Sequence, residues 1–162
     1  MTTWTESKRW ADRYLPVVKR ILGEHLICEA PIEEDQQRNT DLIVLRFNAV
    51  RIACRFRKAE YFAKFGSEFT IRASRPSGAQ TELAKILGGW GDYMFYGFAG
   101  NTGGFVAWAI ADLDVFRQHY PQNMGMSRAN TDNSSSFLVF RWDDFPTNMV
   151  IASMGLRKIP AM

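Results

Sequence analysis

Apolar residues at Trp10, Tyr14, Val17 or Val18, Ile21, Leu22 and Leu26 recur at three- and four-residue spacing, which predicts an amphipathic helix over 5–26. Pro16 lies inside it and predicts a kink or a division into two helices. A polar stretch over 33–40 follows, and then Asp41-Leu-Ile-Val-Leu-Arg-Phe47, a run of strand length with Asp41 at its mouth. Asn48-Ala49 predicts a tight turn into a second strand over 50–57. There Ile52, Cys54 and Phe56 alternate with Arg51, Ala53, Arg55 and Arg57, so one face of the strand is expected in a core and the other is basic.

Residues 68–74 predict a third strand, and Arg75-Pro-Ser-Gly is turn chemistry. Ser77 and Gln80 have capping-box spacing ahead of a helix over 81–87, which Gly88-Gly89 stops. Two strands, 93–99 and 105–111, are joined by a Gly-Asn turn, and Asp112 is placed to cap a short helix running to Tyr120. The segment 121–136 is rich in Asn, Ser and Gly and predicts a flexible or partner-ordered loop, before late strands at 137–141 and 149–153. No repeat or linker interrupts this order, so the expectation is one α+β domain over 1–162, with its core in about 5–111, the loop at 121–136 and C-terminal strands and tail at 137–162.

With 46% apolar and 23% charged residues, the 162-residue chain has the profile of a folded domain rather than a disordered or collagen-like one. Cys28 and Cys54 lie within apolar runs rather than at loop spacings, which points to a reducing, cytoplasmic setting. The charged residues Glu6, Lys8, Arg9, Asp12 and Arg13 leave no apolar leader core, and no long apolar stretch follows, so neither export nor a membrane partner is expected. A phosphate-loop motif, a dinucleotide fingerprint and a G-x-S-x-G elbow are absent from the sequence. His25 and His119 lack the spacing of a zinc ligand pair.

Charge distribution says more than the net +3. Between Arg46 and Arg75 eight basic residues face only Glu60 and Glu68, while Glu33, Glu34 and Asp35 sit upstream. A basic block suits a polyanion, because neutralised phosphates release counterions. Arg51, Arg57, Lys58, Arg72 and Arg75 are the candidate nucleic-acid contacts, with Arg55 on the same strand face. Trp90, Tyr93, Tyr96 and Trp108 offer surfaces for base stacking, but aromatics at strand spacing are more often core. Divalent metal needs two or three converging carboxylates, and Asp41 and Glu24 are the nearest such candidates.

The order helix, strand opened by Asp41, tight hairpin, basic strand, helix, strand resembles the core of the PD-(D/E)XK, or restriction-endonuclease-like, nuclease superfamily, over about residues 5–111. The resemblance implies a central mixed β-sheet flanked by helices, Mg²⁺ as cofactor and cleavage of a phosphodiester, with DNA as the expected nucleic acid and a homodimer as a common arrangement. Asp41 matches the family's acidic residue, and a twelve-residue step places Ala53-Cys54-Arg55 where its (D/E)-X-K triplet falls. Ala53 offers no ligand and Arg55 cannot act as a base. Some members carry the second carboxylate on the following helix, and Glu82 with Lys85 fits that variant. The expected site is therefore Asp41, Glu82 and Glu24 around the metal, with Lys85 or Arg55 facing the scissile phosphate. The alternative is a catalytically inactive, nuclease-like interaction module of phage or mobile-element type, gripping nucleic acid or a host protein. A third reading gives the long polar loop a role in assembly or inhibition.

Overall fold

The structure is a computed structural model that describes residues 4–29, 42–44, 50–78, 80–130 and 135–156. The chain divides into two compact units, one formed by residues 1–50 with 101–104 and the other by 51–100 with 105–162.

The first unit opens with α1 (Trp4–Asp12) and α2 (Leu15–Leu26). The predicted helix is thus divided, and Pro16 falls in the first turn of α2, where its missing N–H has no intrahelical partner to lose. Lys8 and Asp12 pair one turn apart on α1 at 2.7 Å. Tyr14, Val18 and Ile21 form the buried side, at the spacing the sequence predicts. β1 (Ile27–Glu29) pairs antiparallel with β2 (Leu42–Val44).

The second unit is mixed α and β. Its larger sheet has the order β3 (Ile52–Lys58), β5 (Tyr93–Ala99), β6 (Phe105–Asp112), β9 (Val150–Met154), and β3 runs parallel to β5 while the other pairs are antiparallel. A three-stranded antiparallel sheet has the order β4 (Glu68–Ser74), β8 (Ser136–Arg141), β7 (Met126–Ala129). Between the strands lie α3 (Phe62–Phe65), α4 (Glu82–Leu87) and α5 (Leu113–His119). The result is an α+β arrangement with a central mixed sheet, a second sheet and flanking helices.

The core follows from alternation. Met94, Tyr96 and Phe98 of β5 point to one side, where they join Phe69 and Ile71 of β4, Leu83 and Ile86 of α4, and Leu113 and Phe116 of α5. Phe69 anchors the aromatic part, with its ring centroid 4.3 Å from Trp142 and 5.1 Å from Phe140. The opposite side of β5 is also covered: Phe95 lies 5.1 Å from Phe105 and 5.9 Å from Trp108. Burial on both sides explains why β5 reads as a continuous apolar run. Gly97 is required there, since a Cβ would stand 2.6 Å from the Phe105 ring.

Three expectations are corrected. The hairpin joining 41–47 to 50–57 does not appear among the described residues: β2 pairs with β1, and β3 takes β5 as a parallel partner. Pairing across such a sequence distance leaves no local signature. The helix cap is Thr81, whose Oγ1 accepts from the Ala84 N–H at 3.2 Å, rather than Ser77, which lies four residues too early. The 121–136 segment contains β7, a short edge strand whose four residues are all exposed and therefore show no alternation. The Asp112 cap is as expected, its Oδ1 accepting from Asp114 N–H at 2.8 Å and Val115 N–H at 3.2 Å.

Candidate nucleic-acid interface

The basic face of β3 is not a plain solvent face. Arg55 and Arg57 stand beside Tyr96 and Phe98 of β5 and share their side of the sheet. Because β3 is an edge strand, these long side chains can reach past the rim: the Arg55 guanidinium finds polar partners, and that of Arg57 lies among aromatic rings. The Arg55 Nε donates to Thr70 Oγ1 at 3.1 Å, and its Nη1 donates to Glu82 Oε2 at 2.8 Å. Thr70 Oγ1 lies 3.4 Å from the Tyr96 hydroxyl. The same Glu82 oxygen accepts the backbone N–H of Arg72 at 3.1 Å. One carboxylate at the start of α4 thus ties β3 to β4. Pairing between β4 and β8 shifts between Arg72 and Ser74, an irregularity of the sort that redirects a side chain at a strand end.

Around this ion pair, Arg51, Ala53, Arg75, Glu82, Lys85 and Trp90 line a groove of about 330 Å³. A second hollow of about 380 Å³ is lined by Arg72, Arg75, Pro76, Ser77 and Ser135. Arg75 borders both. Arg51, Arg72, Arg75 and Lys85 bring positive charge to the two hollows, and Glu82 is the one carboxylate among their described lining residues. Burial pushes the Arg72 guanidinium below the usual arginine value, and repulsion from Arg55 and Arg75 adds to this, opposed by attraction to Glu82. Arg72 stays protonated, but its charge is crowded and an anion would relieve it.

Trp90 is 64% exposed at the edge of the groove. It projects from a turn that glycine makes possible, with Gly89 at φ +88° and Gly91 at φ +85°. The Trp90 N–H donates to Lys85 O at 3.0 Å, and both Nη atoms of Arg117 donate to Gly91 O at 3.2 and 3.3 Å. Arg117 Nη1 also donates to Ile86 O at 3.2 Å, and Nη2 pairs with Asp114.

The other sequence candidates fall elsewhere. Arg57 is enclosed by rings, 4.8 Å from the centroid of Phe65, 5.1 Å from Tyr61 and 6.0 Å from Phe98. Lys58 is exposed at the end of β3. Tyr96 and Trp108 are buried core residues, and Tyr93 is partly buried, which leaves Trp90 as the exposed aromatic of that group. Cys54 is accessible, yet crowding by its surroundings raises its thiol pKa above the ordinary value. Glu24 is exposed on α2 in the first unit. Asp41, Glu33, Glu34 and Asp35 lie outside the described residues.

No group of three His, Cys, Asp or Glu side chains among the described residues is placed to hold a metal, and Glu82 Oε2 is already engaged by Arg55 and Arg72. Sequence reasoning selected Arg55 and Glu82 separately and missed that they pair. It also missed Thr70 and Arg117, whose roles depend on distant partners, although the glycines flanking Trp90 did carry a readable signal of an exposed turn. No protein-family model, curated protein or solved structure matches the chain.

Proposed function

We propose that the second unit binds nucleic acid through the groove beside β3 and α4, with DNA as the polyanion and without cleaving it. The observation that carries this reading is the convergence of Arg51, Arg75 and Lys85 on one groove, next to a crowded Arg72. Phosphate oxygens would take the place of the counterions such a cluster needs. One feature favours binding over cleavage: Glu82, the carboxylate in the groove, already accepts from Arg55 and from the Arg72 N–H. This corresponds to an inactive member of the restriction-endonuclease-like superfamily, a module whose fold serves recognition.

The test is fluorescence anisotropy with labelled duplex and single-stranded DNA over a salt series. With three to five cations engaged, log Kobs should fall with log salt at a slope of about −3 to −4, and Arg75→Glu should weaken binding and reduce that slope by about 1 or more. A flat salt dependence, or an unchanged Arg75→Glu variant, refutes the proposal. The Mg²⁺-dependent cleavage reading rests on Glu82 lining the groove beside Ala53. Plasmid nicking in Mg²⁺ or Mn²⁺ that disappears in both Asp41→Ala and Glu82→Ala would establish that reading instead.

A further inference from the structure

We infer that the Trp90 end of the groove receives an unpaired base of single-stranded DNA, stacked on the indole, while the phosphates run over Arg75 toward Arg72. This rests on the nucleic-acid reading above and adds to it the strandedness of the ligand.

A large indole left 64% exposed forgoes the burial that indole rings usually gain, and here it does so at the lip of a cationic groove. Its position is also fixed in advance. Glycines at positive φ set the turn on either side, the Trp90 N–H is bonded to Lys85 O at 3.0 Å, and Arg117 holds the next carbonyl. A Cβ on Gly91 would lie 3.0 Å from Leu113 Cδ1, so the turn sits against α5. The backbone that carries the ring is thus held, and an indole has only two side-chain torsions to fix when a flat partner stacks on it.

The surroundings select which flat partner. Arg51, Arg75 and Lys85 line the same groove, so the ligand that satisfies both features carries a π-face and negative charge together. A duplex presents its phosphates but keeps its bases stacked inside. A single strand offers both at once. Gln80, which also lines the groove, adds an amide with donor and acceptor capacity for a base edge. Arg75 also borders the hollow lined by Arg72, Ser77 and Ser135, which is where the neighbouring phosphates are placed in this reading.

The test measures the affinity of three labelled probes of equal length: oligothymidylate, an abasic oligomer with the same phosphates, and duplex DNA. Trp90→Ala should weaken oligothymidylate binding about tenfold or more, as loss of a stacked base predicts, and leave the abasic and duplex probes unchanged. Trp90→Phe should recover part of the loss. Oligothymidylate should quench tryptophan emission in the parent and not in Trp90→Ala. Because the side chain is exposed, the variant is expected to fold normally, which near-UV circular dichroism checks. If Trp90→Ala changes all three probes alike, or none, the stacking inference is overturned, while salt-dependent binding that Arg75→Glu weakens leaves the cationic-groove reading standing. If no probe binds with a salt dependence, both fall.

Discussion

Glu82→Gln separates the structural from the electrostatic work of the groove, because it preserves side-chain shape and removes one charge. In the parent, Glu82 Oε2 accepts from Arg55 Nη1 at 2.8 Å and from the Arg72 N–H at 3.1 Å, and both side chains of the ion pair are 24% exposed. Exposed pairs contribute about 0.2–1 kcal/mol, whereas breaking a fully buried pair costs about 3–5 kcal/mol. A pair three-quarters removed from water falls between. Both hydrogen bonds share one oxygen, so the glutamine amide oxygen can still accept them, but without the carboxylate charge that strengthens each, and the expected loss is about 2 kcal/mol. In urea this is a midpoint lower by about 1 M at unchanged m. DNA affinity should move the other way, since Arg55, Arg72 and Arg75 lose their nearest opposing charge. Stability down and affinity up is an uncommon combination. A double-mutant cycle with Arg55→Met should return a coupling energy of about 1 kcal/mol or more. A midpoint within about 0.5 kcal/mol of the parent, or stability and affinity falling together, refutes the reasoning.

Arg57→Met should cost about 1 kcal/mol by urea titration, through loss of its cation–π contacts, and leave DNA affinity unchanged, whereas Arg75→Met should weaken binding at little cost in stability. Asp112→Ala removes a bonded cap and should cost about 1 kcal/mol, while Ser77→Ala should leave α4 unaffected. In a Cys28→Ser background, Cys54 should be alkylated more slowly in the folded than in the unfolded chain at the same pH, because a raised pKa lowers the thiolate fraction. The sign for stability follows: the contribution is fully present at neutral pH, where both states hold the proton, and is lost as pH rises above about 9 through the folded value. Relative to Cys54→Ser, whose side chain does not titrate in this range, the parent's urea midpoint should therefore fall as pH rises above about 9.

Local chemistry was legible in the sequence where it is decided locally. Glu68–Ser74 forms the predicted strand, Asp112 caps the predicted helix, and Pro16 divides the N-terminal one as its chemistry requires. The pairing of strands was not legible. β3 finds its parallel neighbour β5 some forty residues on, and nothing in the alternation of Arg51, Arg55 and Arg57 reveals that neighbour. β7 was missed because all four of its residues are exposed and hydrogen bonding to β8 alone defines it. For the site, residue type identified the charged side chains, but their division of labour depends on contacts. Arg57 disappears among rings, Arg55 is taken by Glu82, and Arg75 borders two hollows. Trp90 differed from Tyr96 and Trp108 only in which element carries it: they sit in central strands, and it sits in a glycine turn.

Arg117 gives that turn its mechanical character. A single guanidinium bonds the carbonyls of Ile86 and Gly91 and the carboxylate of Asp114, so the end of α4, the turn and the start of α5 are tied at one point. The neighbours of Arg117 on α5, Leu113 and Phe116, are fully buried. The surface loop consequently opens and closes with the interior rather than on its own, and its backbone amides should exchange with solvent on the timescale of the helix beneath it. Whatever occupies the lip of the groove would then brace the hydrophobic interior as well, and occupancy would register as slower global unfolding.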